Sequence, residues 1–173
     1  MARHSSSSLP VAFIAVRMLI GLNWIYGAGV FFLLVGMLVA HHWMMRALGI
    51  PVAAQSGSVL MGMRAIAALG FIAIPLNFAI LKRLLAMVLT VRTGDPFVAA
   101  NAYRLQAIGW FLLGLQLVSL GIGIIGKAIS VPAHPFLDAG LSPAGWLAVI
   151  LVFVLARVFA EGTLMREDLE GTI

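Results

Sequence analysis

Val91 to Leu105 reads VRTGDPFVAANAYRL, and the division of the chain into two helical pairs follows from it. The stretch lies between the two longest apolar regions and is the most polar connection in the middle of the chain. Gly94 can take a positive φ and stop a helix arriving from Leu60. Asp95 and Pro96 then read as a helix start, because an Asp side chain caps free N–H groups and Pro is pre-set for the first helical position. Asn101 and Arg104 lie three apart, so they share one face of the new helix. One helical pair precedes this hinge and a second follows it.

Composition says what surrounds those helices. The chain has 173 residues, 62% hydrophobic and 10% charged, against roughly 25% charged in an average soluble domain. A soluble protein so poor in charge would expose large apolar patches. Lipid covering that surface is the simpler account, and the long apolar runs support it. The formal charge of +5 does not point to direct nucleic-acid binding, since the basic residues are spread singly and mostly near helix ends. Cysteine is absent, which excludes disulfides, thiolate chemistry and Cys-based zinc or iron–sulfur sites.

The spacing predicts an all-α integral membrane four-helix bundle forming one transmembrane domain over 1–173. Met1 to Ser8 reads as a short polar tip. The apolar run Met18 to Ala40 is 23 residues long, longer than the roughly 7–15 of a signal-peptide core, and no small-residue cleavage site follows it. An uncleaved helix over about Val11 to Met45 is expected, spanning at 18–40, with Gly29 and Gly36 on one face. The second span is 59–81, kinked by Pro75, with the helix continuing to Thr90. The third helix starts at Pro96 and spans 105–129, with Gly114 and Gly121 sharing a face. The fourth opens with Ser142 as cap and Pro143 as first residue and spans 145–160. The hinge is 82–104 and the tail 161–173.

Basic residues set the orientation. Eight lie on the side of the N-terminus, hinge and C-terminal region, and three on the other (Arg46, Arg64 and Lys127). Both termini are therefore expected inside a bacterial plasma membrane.

Four groups of residues could carry chemistry. The hinge sums to +3 and the tail to −3, so Asp95, Asn101 and Arg104 should face Glu167 and Asp168. That juxtaposition could close the bundle, bind a cytoplasmic protein, or leave basic residues to hold anionic lipid. A polar layer of Asn23, Asn77 and Arg157 is expected in the inner half of the membrane, with Gln116 near its middle. Buried amides there glue helices together for roughly 1 kcal/mol each. No span carries an acidic residue, so a proton-coupled transporter lacks its usual carrier. Arg64 falls one turn inside the outer edge, where it would pair with Asp138 or snorkel to the headgroups. His41, His42 and His134 fall outside. Side chains of adjacent residues diverge by about 100° around a helix, so His41 and His42 are poor joint ligands, and no metal or other cofactor is expected. Catalytic motifs are missing: the chain has no His-Glu-x-x-His and no Gly-x-Ser-x-Gly.

Gly94-Asp95-Pro96-Phe97, then Asn101, then Arg104-Leu105 before an apolar helix, resembles the signature of an uncharacterised bacterial membrane family, domain of unknown function 2975, with YoaS-like members. Phe159, Gly162, Leu164 and the ending Glu167-Asp168-Leu169-Glu170-Gly171-Thr172-Ile173 resemble that family's C-terminal pattern. The resemblance covers essentially the whole chain and implies four spans in this order. It also implies a sensor or sequestering role beside a compact helix-turn-helix regulator. The expected function is therefore non-enzymatic regulation or signalling. A small oligomeric transporter or channel, or an accessory subunit of a larger membrane complex, stands as the alternative. Glycine faces on the first and third spans make a homo-oligomer plausible.

Overall fold

The computed structural model describes residues 8–50, 56–94, 96–129 and 142–170, with side chains up to Arg166. Five helices follow in order: α1 (Ser8–Val39), α2 (His41–Ala47), α3 (Gly57–Arg92), α4 (Ala99–Ile129) and α5 (Pro143–Glu170). The described residues are all-helical. Four of the helices are long and apolar enough to cross a membrane, and α2 is a short fifth. At about 1.5 Å per residue, α3 is roughly 54 Å long, well beyond the roughly 30 Å hydrocarbon core.

Helix starts and stops follow local chemistry. Ser56 caps α3 by accepting from the Val59 N–H at 3.4 Å. Gly94 ends it with φ +91°, its N–H donating to the Val91 carbonyl. Ser142 caps α5, accepting from the Gly145 N–H at 3.3 Å, with Pro143 as first residue. Two boundaries differ from the sequence reading. The first helix does not run on to Met45. It breaks at Ala40 (φ −133°, ψ 49°) and restarts as α2. The break folds α2 back and buries Met44 and Met45 with Met37, Ile50 and Val59. Methionine's unbranched, adaptable chain suits such a turn-lined core. Second, α4 starts at Ala99 rather than Pro96. Pro96–Val98 are an irregular lead-in, and the Asn101 N–H donates to the Val98 carbonyl to close the first turn.

The extensive contacts between long helices run in series, α1 on α3, α3 on α4 and α4 on α5. On the α3–α4 seam the contact positions of α3 recur every seven residues. Gly62 meets Ile125 and Ile129, Leu69 meets Gly121, and Leu76 meets Gly114. Arg83 lies over the Phe111 ring at 4.6 Å, and Thr90 bonds Asn101. A seven-residue repeat keeps one seam aligned when two helices wind left-handedly about each other. Gly114 and Gly121 thus do share a working face. Gly29 does not: open space surrounds it, while Gly36 receives the Met44 methyl of α2. Gly62→Val should destabilise the seam by about 2 kcal/mol, because a Cβ there overlaps the branched Ile129 side chain and overpacking costs about 1–3 kcal/mol. Unfolding in mixed micelles checks this against Gly29→Val, which should be near neutral.

The α1–α3 contact is antiparallel. Gly27 packs on Ile74 and Gly70 faces Val30, with Trp24 against Phe78 and Phe31 against Phe71. The α4–α5 contact is also antiparallel, but staggered. Gly145 lies under the Gln116 side chain, Gly109 under Phe153, and Gly162 under Phe97. Helix α5 therefore begins beside the middle of α4 and extends past its start. The outward faces of α1 and α5 carry large exposed apolar side chains, among them Ile25, Phe32, Ile150 and Val154, as lipid contact requires.

Candidate functional site

The hinge gathers a hydrogen-bonded polar cluster around one buried amide. Asn101 is 0% exposed, and an amide buried so fully must be satisfied. Its Nδ2 donates to the Pro96 carbonyl at 2.9 Å and to Thr90 Oγ1 at 2.9 Å. Its Oδ1 accepts from Arg104 Nη1 at 2.8 Å. Thr90 Oγ1 also approaches Oδ1 at 3.1 Å, but its one proton has a shorter acceptor in the Met87 carbonyl at 2.7 Å. One side chain thus ties the last turns of α3, the Pro96 carbonyl of the connection and the first turn of α4. Asn101 and Arg104 meet as their spacing implies. Asp95 lies outside the described residues.

Helix α5 joins the same end. Phe97 stacks on Phe159 with ring centroids 5.3 Å apart, and it packs on Gly162, where a Cβ would lie 3.3 Å from the ring. Thr163, buried beside them, turns its hydroxyl back to the Phe159 carbonyl at 2.8 Å. Phe97 therefore packs across the end of the fourth span at Phe159 onto the first turn of the tail at Gly162. Glu167 and Asp168 lie within the last turns of α5, and their side chains fall outside the description.

The remaining candidates separate. Asn23, buried, donates to the Ile74 carbonyl at 3.4 Å, next to Pro75. Asn77 is half-buried one turn on. Arg157 does not join them. It pairs with Glu161 on its own helix at 2.6 Å and is exposed; α5 packs extensively on α4, whereas Asn23 packs on α3. Gln116 lies across the first turn of α5 at Gly145. Arg64 takes a partner the sequence reading did not consider. Its Nε and Nη2 donate to the Met37 carbonyl at 3.2 and 3.0 Å. That carbonyl belongs to the last turn of α1, which has no further helix to bond, and a cation there also suits the negative end of the helix dipole. Asp138 lies outside the described residues. The His41 and His42 rings lie 4.0 Å apart instead of diverging, because rotation about the side-chain torsions can bring adjacent rings together. His134 is outside the described residues. No group of three His, Cys, Asp or Glu side chains gathers among the described residues.

Comparison with family models, curated proteins and solved structures finds no match. The geometry of the chain itself therefore carries the functional reading.

Sequence reasoning missed Thr90 as the partner of Asn101. A hydroxyl near the end of one helix, with an amide near the start of the next, was the available signal. It also missed a groove of about 460 Å³ between α4 and α5, with Tyr103, Gln106 and Arg157 among its lining.

Proposed function

We propose that the protein is a non-enzymatic regulatory or signalling protein of a bacterial plasma membrane, with both termini cytoplasmic. It presents the joined hinge and tail to a cytoplasmic partner of the helix-turn-helix type. The observation supporting this is the docking of Phe97 on Phe159 and Gly162, which makes hinge and tail one surface. A partner that pulled on the tail would disturb the turn that Asn101 holds. The resemblance of both segments to domain of unknown function 2975 belongs to the same proposal, with Asp95, Asn101 and Arg104 shaping the surface and Glu167 and Asp168 covering it.

Purification from native membranes in mild detergent, with mass spectrometry of everything retained, tests the reading. A stoichiometric soluble helix-turn-helix protein is expected, lost from the Glu167→Lys, Asp168→Lys double variant while the helices stay folded. Retention of a soluble partner unchanged in that variant would remove the tail from the reading. A second reading, an accessory subunit or oligomeric transporter, is favoured by the serial packing, which leaves the flanks of α1 and α5 open to an integral partner or a second copy. Its mark is constant stoichiometry with an integral protein, or flux in liposomes.

A further inference from the structure

The packing registers bring basic residues from every long helix to one end. Arg17 and Arg92 both lie 5.1 Å from the Phe13 ring, joining α1 to the last turn of α3. Arg83 of α3 lies over Phe111 of α4. Arg104 is tied to Asn101 opposite Thr90. Arg157 of α5 lines the α4–α5 groove with Tyr103 and Gln106. Along α3 the whole set falls between Arg83 and Arg92, nine residues or about 13 Å at 1.5 Å each. All four helices are apolar enough to cross a membrane, so a shared basic level close to their ends is where they meet headgroups.

The groove at this level has two chemistries. Ala102, Ala156 and Phe153 give it an apolar floor, and Tyr103, Gln106 and Arg157 give it a polar edge. Arg157 is 77% exposed and its single described partner is Glu161, an exposed pair of the kind worth roughly 0–1 kcal/mol. An anion can displace such a weak partner. We propose that this groove holds an anionic phospholipid, with the acyl chain along the alanine floor and the headgroup phosphate at Arg157, beside Tyr103 and Gln106. Charge complementarity selects the occupant. Arg157, the basic residue of the groove lining, favours an anionic over a zwitterionic headgroup by about 1 kcal/mol, and the apolar floor favours a lipid over a free anion.

The inference is independent of the regulatory reading, and retained lipid tests it without a protein partner. The full chain in mild detergent is mixed with phosphatidylglycerol or phosphatidylcholine and analysed by native mass spectrometry. Phosphatidylglycerol should be retained at least fivefold more than phosphatidylcholine. Arg157→Gln, at an exposed position and so harmless to the fold, should abolish that preference. Glu161→Gln, which frees Arg157, should raise retention at least twofold. Ala99→Trp, at the rim of the groove, should lower retention with every charge intact. Equal retention of the two lipids would overturn the proposal. So would an unchanged preference in Arg157→Gln, a fall in Glu161→Gln, or displacement of the bound lipid by millimolar inorganic phosphate.

Discussion

Asn101→Ala is expected to be among the most destabilising single substitutions in the chain, at about 3 kcal/mol. The side chain is wholly buried and makes three hydrogen bonds to three different partners. Removing it leaves the part-buried Pro96 carbonyl and Arg104 N–H without this partner and opens a cavity; an orphaned group costs about 1–3 kcal/mol where water cannot reach it. Shape is not the main term, so Asn101→Asp should not rescue. The carboxylate still accepts from Arg104, but it loses both Nδ2 donations and sets an anion against the Pro96 carbonyl. Thr90→Val removes the hydroxyl that accepts from Asn101 Nδ2 and donates to the Met87 carbonyl and should cost about 1 kcal/mol. Unfolding in mixed micelles measures all three. A double-mutant cycle between positions 90 and 101 should give a coupling of about 1 kcal/mol, as expected for two members of one network. If Asn101→Ala proved as mild as Thr90→Val, the hinge would not depend on the amide.

The second large effect belongs to Arg64. Its two donors meet the Met37 carbonyl at the end of α1. An unsatisfied carbonyl is costly wherever water cannot replace the lost donors. Arg64→Met keeps most of the apolar stem and removes the donors, and a loss of about 2–3 kcal/mol is expected. Arg64→Lys keeps the charge but not the fork, so roughly half of that loss should return. Hydrogen exchange gives a local readout. Amides around Ala40 and His41 should exchange faster in Arg64→Met, while those of the Thr90–Asn101 hinge stay protected. Equal acceleration at both ends would mean global destabilisation, and the arginine would then not be a local tie at the α1 break.

Much of the fold was legible because its signals are short-range. Ser142-Pro143 announces a helix start, Gly94 a stop, and apolar runs of membrane length announce spans. Gly114 and Gly121 could be placed on one face by counting. The break at Ala40 was not legible, because no proline or glycine marks it. It exists because Met37, Met44 and Met45 find one another across the turn, a tertiary effect. Arg64 shows the same limit. Its partner is a backbone carbonyl, and carbonyls are identical at every position, so no residue type betrays which one is free. Asn101 with Arg104 was readable from their spacing, whereas Thr90 became a partner only once α3 and α4 were paired in register. The expected polar layer failed to include Arg157 because helices were counted from their ends. The stagger of α5 against α4 moves Arg157 away from the level of Asn23.

The serial packing of α1, α3, α4 and α5 has a consequence for biogenesis. Each long helix docks mainly on the one synthesised just before it, so the order of neighbours in space is the order of emergence from the ribosome. The α1–α3 hairpin can close while α4 is still being made, and no helix waits for a distant sequence partner. Contacts of short sequence separation fold fast, and a chain that assembles progressively exposes little unsatisfied surface on the way. Among the described helices α1 and α5 each rest on one long neighbour, so these two flanks are held from a single side.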